Sequence, residues 1–104
     1  MKVISMSSSK SNSLTYGKSY EVIGIEADSF RIVNDFNDPC LYEPSIFEIS
    51  DPTEPPFWVS SLGDDGERYA YPSSWSSSGF FEDVHDHVAG VVAQFWQEYR
   101  QLYG

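Results

Sequence analysis

Between residues 20 and 71, short runs of β-branched and aromatic residues alternate with turn-forming clusters. That punctuation constrains the fold more than any other feature. "KSYEVIGIEA" and "SFRIVND" are divided by "ADS", which reads as a β-hairpin. Near-alternation places Tyr20, Val22 and Gly24 on one face of the first strand, with Ile23 and Ile25 on the other. "CLYE" and "IFEIS" follow, separated at Pro44-Ser45. "DPTEPP" cannot lie inside a sheet, because proline has no N–H to donate to the ladder. "FWVSS" and "ERYAY" then flank "LGDDG", whose Asp65-Gly66 suits a tight hairpin turn. About five or six strands at a spacing of roughly 8–12 residues predict a small antiparallel barrel, the economical way to hide sheet edges.

The chain ends on a different period. Val84, Val88, Val91, Phe95, Tyr99 and Leu102 recur at helical steps, and Val92, Trp96 and Tyr103 widen the stripe. This predicts one amphipathic helix over about residues 81–103, packed on the barrel or on a second chain. The Ser-rich opening "SMSSSKSNS" predicts a flexible tail over residues 1–13, leaving 14–104 as a single domain. The expected class is mainly β (α+β), a five- or six-stranded antiparallel barrel with one C-terminal amphipathic helix. A chain of 104 residues can bury one core without covalent staples.

Charge narrows the function. Sixteen acidic residues against six basic ones give a net charge of −10. Residues 35–67 hold nine acids (Asp35, Asp38, Glu43, Glu48, Asp51, Glu54, Asp64, Asp65 and Glu67) and no Lys or Arg. Such a surface repels phosphate backbones, which argues against nucleic-acid and anionic-membrane partners and favours a basic protein. Cys40 is the single cysteine, so no internal disulfide can form. The apolar run at the start is too short for a signal peptide, and no run reaches the ~18 residues of a membrane span. A cytoplasmic location is the expectation.

The densest collection of chemical groups is "GFFEDVHDH", residues 79–87. Two histidines two residues apart lie about 200° apart around a helix, so they do not converge on one ion. Asp83 with His87, or Glu82 with Asp86, would supply two ligands at most, and the chain has no other histidine. Glu82, Asp83 and Asp86 instead suit the positive end of a helix dipole. His85 and His87 fall at the two borders of the apolar stripe, where either could titrate near neutrality. "DFNDPC" opens like a calcium loop, then places Cys40 where glycine is needed. No nucleophile elbow and no Gly-rich phosphate loop appears, so neither catalysis nor a cofactor is expected.

The aromatics are the better lead. Some must fill the core, and those left outside, rimmed by carboxylates, would form an interface able to hold Arg and Lys side chains. The candidate partner-binding set is Asp35, Asp38, Tyr42, Glu43, Trp58, Asp64, Asp65, Glu67, Tyr69 and Trp75.

The stretch "LTYGKSYEVIGIEADSFRIVNDFNDPCLYEPSIFEI" resembles small bacterial Src-homology-type barrels. They share a Gly-Lys-x-Tyr-x-Val strand, an Arg-Ile strand, an acidic turn, Leu-Tyr and then Phe-Glu-Ile. The likeness covers residues 14–51. "GFFED" before a helix is similar to small bacterial immunity-type proteins, which bind and silence a cognate toxin. The resemblance implies a small barrel that binds a partner and catalyses nothing, and it carries over no site residues. The expected function is therefore a non-catalytic interaction module, in its sharpest form an immunity-like inhibitor of a basic partner. The alternative is a barrel of housekeeping type that binds a small ligand or self-associates through its C-terminal helix.

Overall fold

The computed structural model describes residues 1–104, the side chain of Lys10 excepted. Seven strands form one antiparallel sheet: β1 (Lys2–Ser5), β2 (Ser19–Glu26), β3 (Ser29–Val33), β4 (Pro39–Tyr42), β5 (Phe47–Asp51), β6 (Trp58–Leu62) and β7 (Arg68–Pro72). Two helices follow, α1 (Phe80–His85) and α2 (Ala89–Tyr103). The mainly-β class with C-terminal helical structure is as expected, with more strands than the alternation alone indicated. Pairing runs β4-β3-β2-β1-β5, with β7 also on β2 and β6 on β7. Among the described residues no ladder joins β6 to β4 or β5, so the sheet stays open.

Residues 2–5 of the expected flexible tail instead form a strand of the sheet. β1 pairs with β2 through Val3↔Tyr20 and with β5 through Val3↔Ile49. Val3 and Ser5 are fully buried, because their alternation turns both toward the core. Of the serine-rich run that suggested disorder, only Ser5 belongs to this strand.

β2 organises the molecule. The β2–β3 hairpin turns at Ala27-Asp28, both with positive φ, as a two-residue turn of matching twist requires. A bulge lies where the register passes from Val22↔Ile32 to Gly24↔Arg31, leaving Ile23 extra. The bulge overturns the simple alternation. Tyr20, Val22 and Ile25 share one hydrophobic cluster with Phe30, Ile32 and Trp58, while Ile23 joins a second cluster beneath the helices. Gly24 is required there, since a Cβ would lie 2.1 Å from the Tyr71 ring.

The single helix expected over 81–103 is two. His87 adopts φ 58°, and α1 closes with His87 N–H donating to Val84 O (3.1 Å) and Val88 N–H to Asp83 O (3.0 Å). That is a Schellman close with histidine at the left-handed position usually held by glycine. The break turns α2, so Phe95 is fully buried with Tyr99 and Tyr103 beside it, while Val88 and Leu102 of the expected stripe lie exposed.

Candidate functional site

The sheet and helices meet at an aromatic layer, and a cleft of about 310 Å³ opens at its margin. β2 and β3 contribute Glu26 and Arg31, β7 contributes Tyr69 and Tyr71, and α1 contributes Phe81, Glu82 and His85. The Ser76–Ser78 turn and Gly79 complete the wall.

Arg31 anchors this wall. On the helix-facing side of β3 it is only 5% exposed, and its Cζ sits 4.0 Å from the Phe81 ring centroid. Its Nε donates to Tyr71 Oη (3.0 Å), Nη1 to Pro39 O (2.8 Å) and Nη2 to Glu26 Oε1 (3.1 Å). Tyr71 Oη donates in turn to the same Glu26 oxygen (3.0 Å). A buried guanidinium needs this charge and these acceptors to remain inside. Burial pushes the Tyr71 phenol well above its ordinary range, so it stays a proton donor. The carboxylate of Glu26 remains partly open to solvent at the cleft mouth.

Beside it stands Tyr69, half-buried. Burial raises its phenol first, and the nearby carboxylates of Glu67, Glu26 and Asp28 raise it further. Glu82 adds another carboxylate to the lining. The cleft thus combines aromatic walls, an arginine neutralised by Glu26 and a second acid, Glu82. Cys40 lies apart from it, and burial pushes its thiol up to about 11, so it remains protonated at neutral pH.

The structure separates the residues singled out from sequence. Trp58 and Trp75 are both buried, which corrects their assignment to an exposed patch. Trp58 Nε1 donates to Tyr103 Oη (2.7 Å), whose hydroxyl donates to Ile23 O (3.0 Å). Trp75 packs among Phe80, Phe81, Phe95 and Tyr103 and donates Nε1–H to Glu98 (3.2 Å). Tyr42 serves the fold as well, donating to Asn12 O (2.6 Å) and accepting from Asn34 (3.2 Å). Asp35 is an internal knot. Lys18 (2.8 Å), Thr15 (2.6 Å) and Tyr20 (2.8 Å) all bond it, and these bonds hold its carboxyl at about 2.

Glu43, Asp64 and Asp65 are exposed as expected, on two different turns. Asp38 pairs with His85 Nδ1 (3.1 Å) at a second cleft of about 280 Å³, beside Trp96 and the exposed Phe36. Tyr69 and the buried Trp75 line the main cleft, and Glu67 stands beside Tyr69. Glu26, Arg31 and Tyr71 were not among the candidate site residues, and Glu82 was read as a helix-start acid. The one available signal was Arg31, a charge inside the otherwise apolar strand "FRIV".

Among the described residues, no group of three or more His, Cys, Asp and Glu could hold a metal ion, and no helix is long and apolar enough to cross a membrane. Comparisons with protein-family models, with characterised proteins and with solved structures find no match for this chain.

Proposed function

We propose that this chain is a non-catalytic binding protein that receives a basic side chain of a protein partner in the cleft between Tyr69, Glu26 and Glu82. One observation carries the reading: the arginine of the cleft, Arg31, is neutralised by Glu26, while Glu82 is exposed at the mouth beside the aromatic walls. Lys18 pairs with Asp35, Arg31 with Glu26 and Arg68 with Glu54. Glu82 is left exposed and Glu26 partly so, next to aromatic rings, a combination that attracts guanidinium and ammonium groups. The likeness of residues 14–51 to small Src-homology-type barrels, and of "GFFED" to immunity-type proteins, supports an inhibitor of a basic protein as the specific form of this role. Charge steering would then set the association rate and the cleft contacts the dissociation rate.

The test is an NMR titration with two peptides of equal length, one rich in arginine and one in glutamate. The basic peptide is expected to shift the resonances of Tyr69, Glu82 and His85, to lose affinity as salt rises, and to bind less well to Glu82→Lys. Uniform shifts over every acidic surface, or affinity indifferent to salt, would sink the reading. A tagged pull-down washed at low and then high salt would identify the physiological partner.

A further inference from the structure

β4, β5 and β6 each pair along one side only, and they differ in how the free side is guarded. β4 opens with Pro39, and β5 carries Glu48 and Asp51, devices that keep edges from pairing with other chains. β6, "WVSSL", has neither proline nor charge. Val59 is 57% exposed and Leu62 73%. We infer that the free edge of β6 pairs with β6 of a second copy of this chain, across a two-fold axis in antiparallel register.

The backbone supports this direction. Opposite Leu62 in the β6–β7 ladder is Arg68, whose carbonyl turns away to accept from Asp28 N (3.0 Å). Opposite Ser60 is Ala70, which faces β2 through Ile25. Partners across an antiparallel ladder point the same way relative to the gap between them, both toward it or both away. The N–H and C=O groups of Ser60 and Leu62 therefore point outward, away from β7.

Charge selects the occupant. Each copy carries −10, so two copies repel over most of their surfaces. Residues 55–63 form a run of nine without any charge, centred on this edge. The carboxylate held beside Ser60, that of Glu54, is neutralised by Arg68. Antiparallel register also sends the hairpin tips, each with Asp64 and Asp65, to opposite ends, where a parallel register would stack them. With Ser60 facing the partner's Ser60, the exposed Leu62 lies opposite the partner's Trp58 in the ladder.

Salt separates this association from the binding proposed for the cleft. Screening weakens attraction to a basic partner but relieves repulsion between two like-charged copies. Sedimentation equilibrium over a concentration series is expected to show a reversible dimer that tightens as salt rises. Leu62→Glu and Ser60→Pro should each weaken it by roughly tenfold or more, about 1.4 kcal/mol, with the melting temperature retained. Ser60→Pro removes an outward N–H that no ladder uses, and Leu62→Glu keeps the test readable if the proline variant unfolds. A wild-type chain that stays monomeric at every concentration and salt level overturns the inference. So does a dimer of unchanged strength in either variant, since the copies would then meet elsewhere. Neither result bears on the cleft, which the peptide titration tests separately.

Discussion

Two Arg–Glu pairs stabilise neighbouring parts of this sheet, and they differ in almost everything but their chemistry. Arg31 is buried under the helices and divides its donors among Tyr71, Pro39 and Glu26. Arg68 is half-buried on β7 and directs both terminal nitrogens at Glu54, a bidentate fork that pins the proline-rich connection between β5 and β6. By geometry alone the Arg68 pair looks the stronger. The surroundings reverse the order, because water can solvate Arg68 and Glu54 whenever their bond breaks and cannot reach Arg31. What a pair contributes is decided by what its members would do without each other.

The comparison is broken most directly at Arg31. Arg31→Met keeps an unbranched apolar stem, but it removes the guanidinium that lies over Phe81 and leaves the Pro39 carbonyl without its donor and Glu26 without its charge partner. Glu26 can turn toward solvent, which limits the damage. The expected loss is about 3 kcal/mol, a drop in melting temperature of roughly 10 °C or more. Thermal unfolding followed by circular dichroism checks it. A loss below that of removing Arg68 would invert the ranking and show that burial is not the deciding variable.

The strand pattern was legible because it is local. Turn residues at 27–29, 43–45 and 63–66 and the alternation between them are enough to mark the two hairpins. Three features were not legible, each for a physical reason. β1 was hidden because four residues give too short a period to stand out against the serines that follow, and its partners β2 and β5 lie far along the chain. The β2 bulge leaves no mark in composition, yet it decides which of Ile23 and Ile25 faces the helices. The helix break occurs at His87, where the left-handed position carries a residue that helix-stop rules do not flag. The cleft escaped for a further reason. Glu26, Tyr71 and Glu82 converge only through tertiary contacts, and the acid-rich run at 35–67 drew attention to exposed turns instead.

A third pair falls between the first two. Lys18 and Asp35 meet at the surface, but Asp35 also accepts from Thr15 and Tyr20, so the carboxylate rather than the ion pair is the centre of the knot. Its carboxyl is held at about 2, against roughly 3.9 for an unfolded aspartate. A lowered folded value means stability that is fully present above the unfolded value and lost as pH falls through the folded one. Asp35→Asn is expected to cost about 1 kcal/mol near neutrality, after allowance for solvent screening. The gap between variant and wild type should close between about pH 4 and pH 2. Denaturant melts across that range measure it. A gap independent of pH would mean that the neutral hydrogen bonds, and not the charge, hold Leu14 and Tyr20 against the core.

Arg68→Ala completes the ranking from the weak side. Its guanidinium also donates to Ser60 Oγ (2.9 Å), so three hydrogen bonds disappear at once, and a count of contacts would predict the larger loss. The exposure of both partners predicts the opposite, no more than about 1 kcal/mol, and less still at high salt. The effect should be local. With its tether gone, the connection over residues 52–57 should exchange its amide hydrogens faster, while the amides of β2 and β3 keep their protection. Faster exchange spreading into β2 would mean that Glu54 and Arg68 support the open side of the sheet as a whole. The missing strand pairing beside β6 would then be compensated by this one fork, and the contrast with Arg31 would be one of position and not of burial.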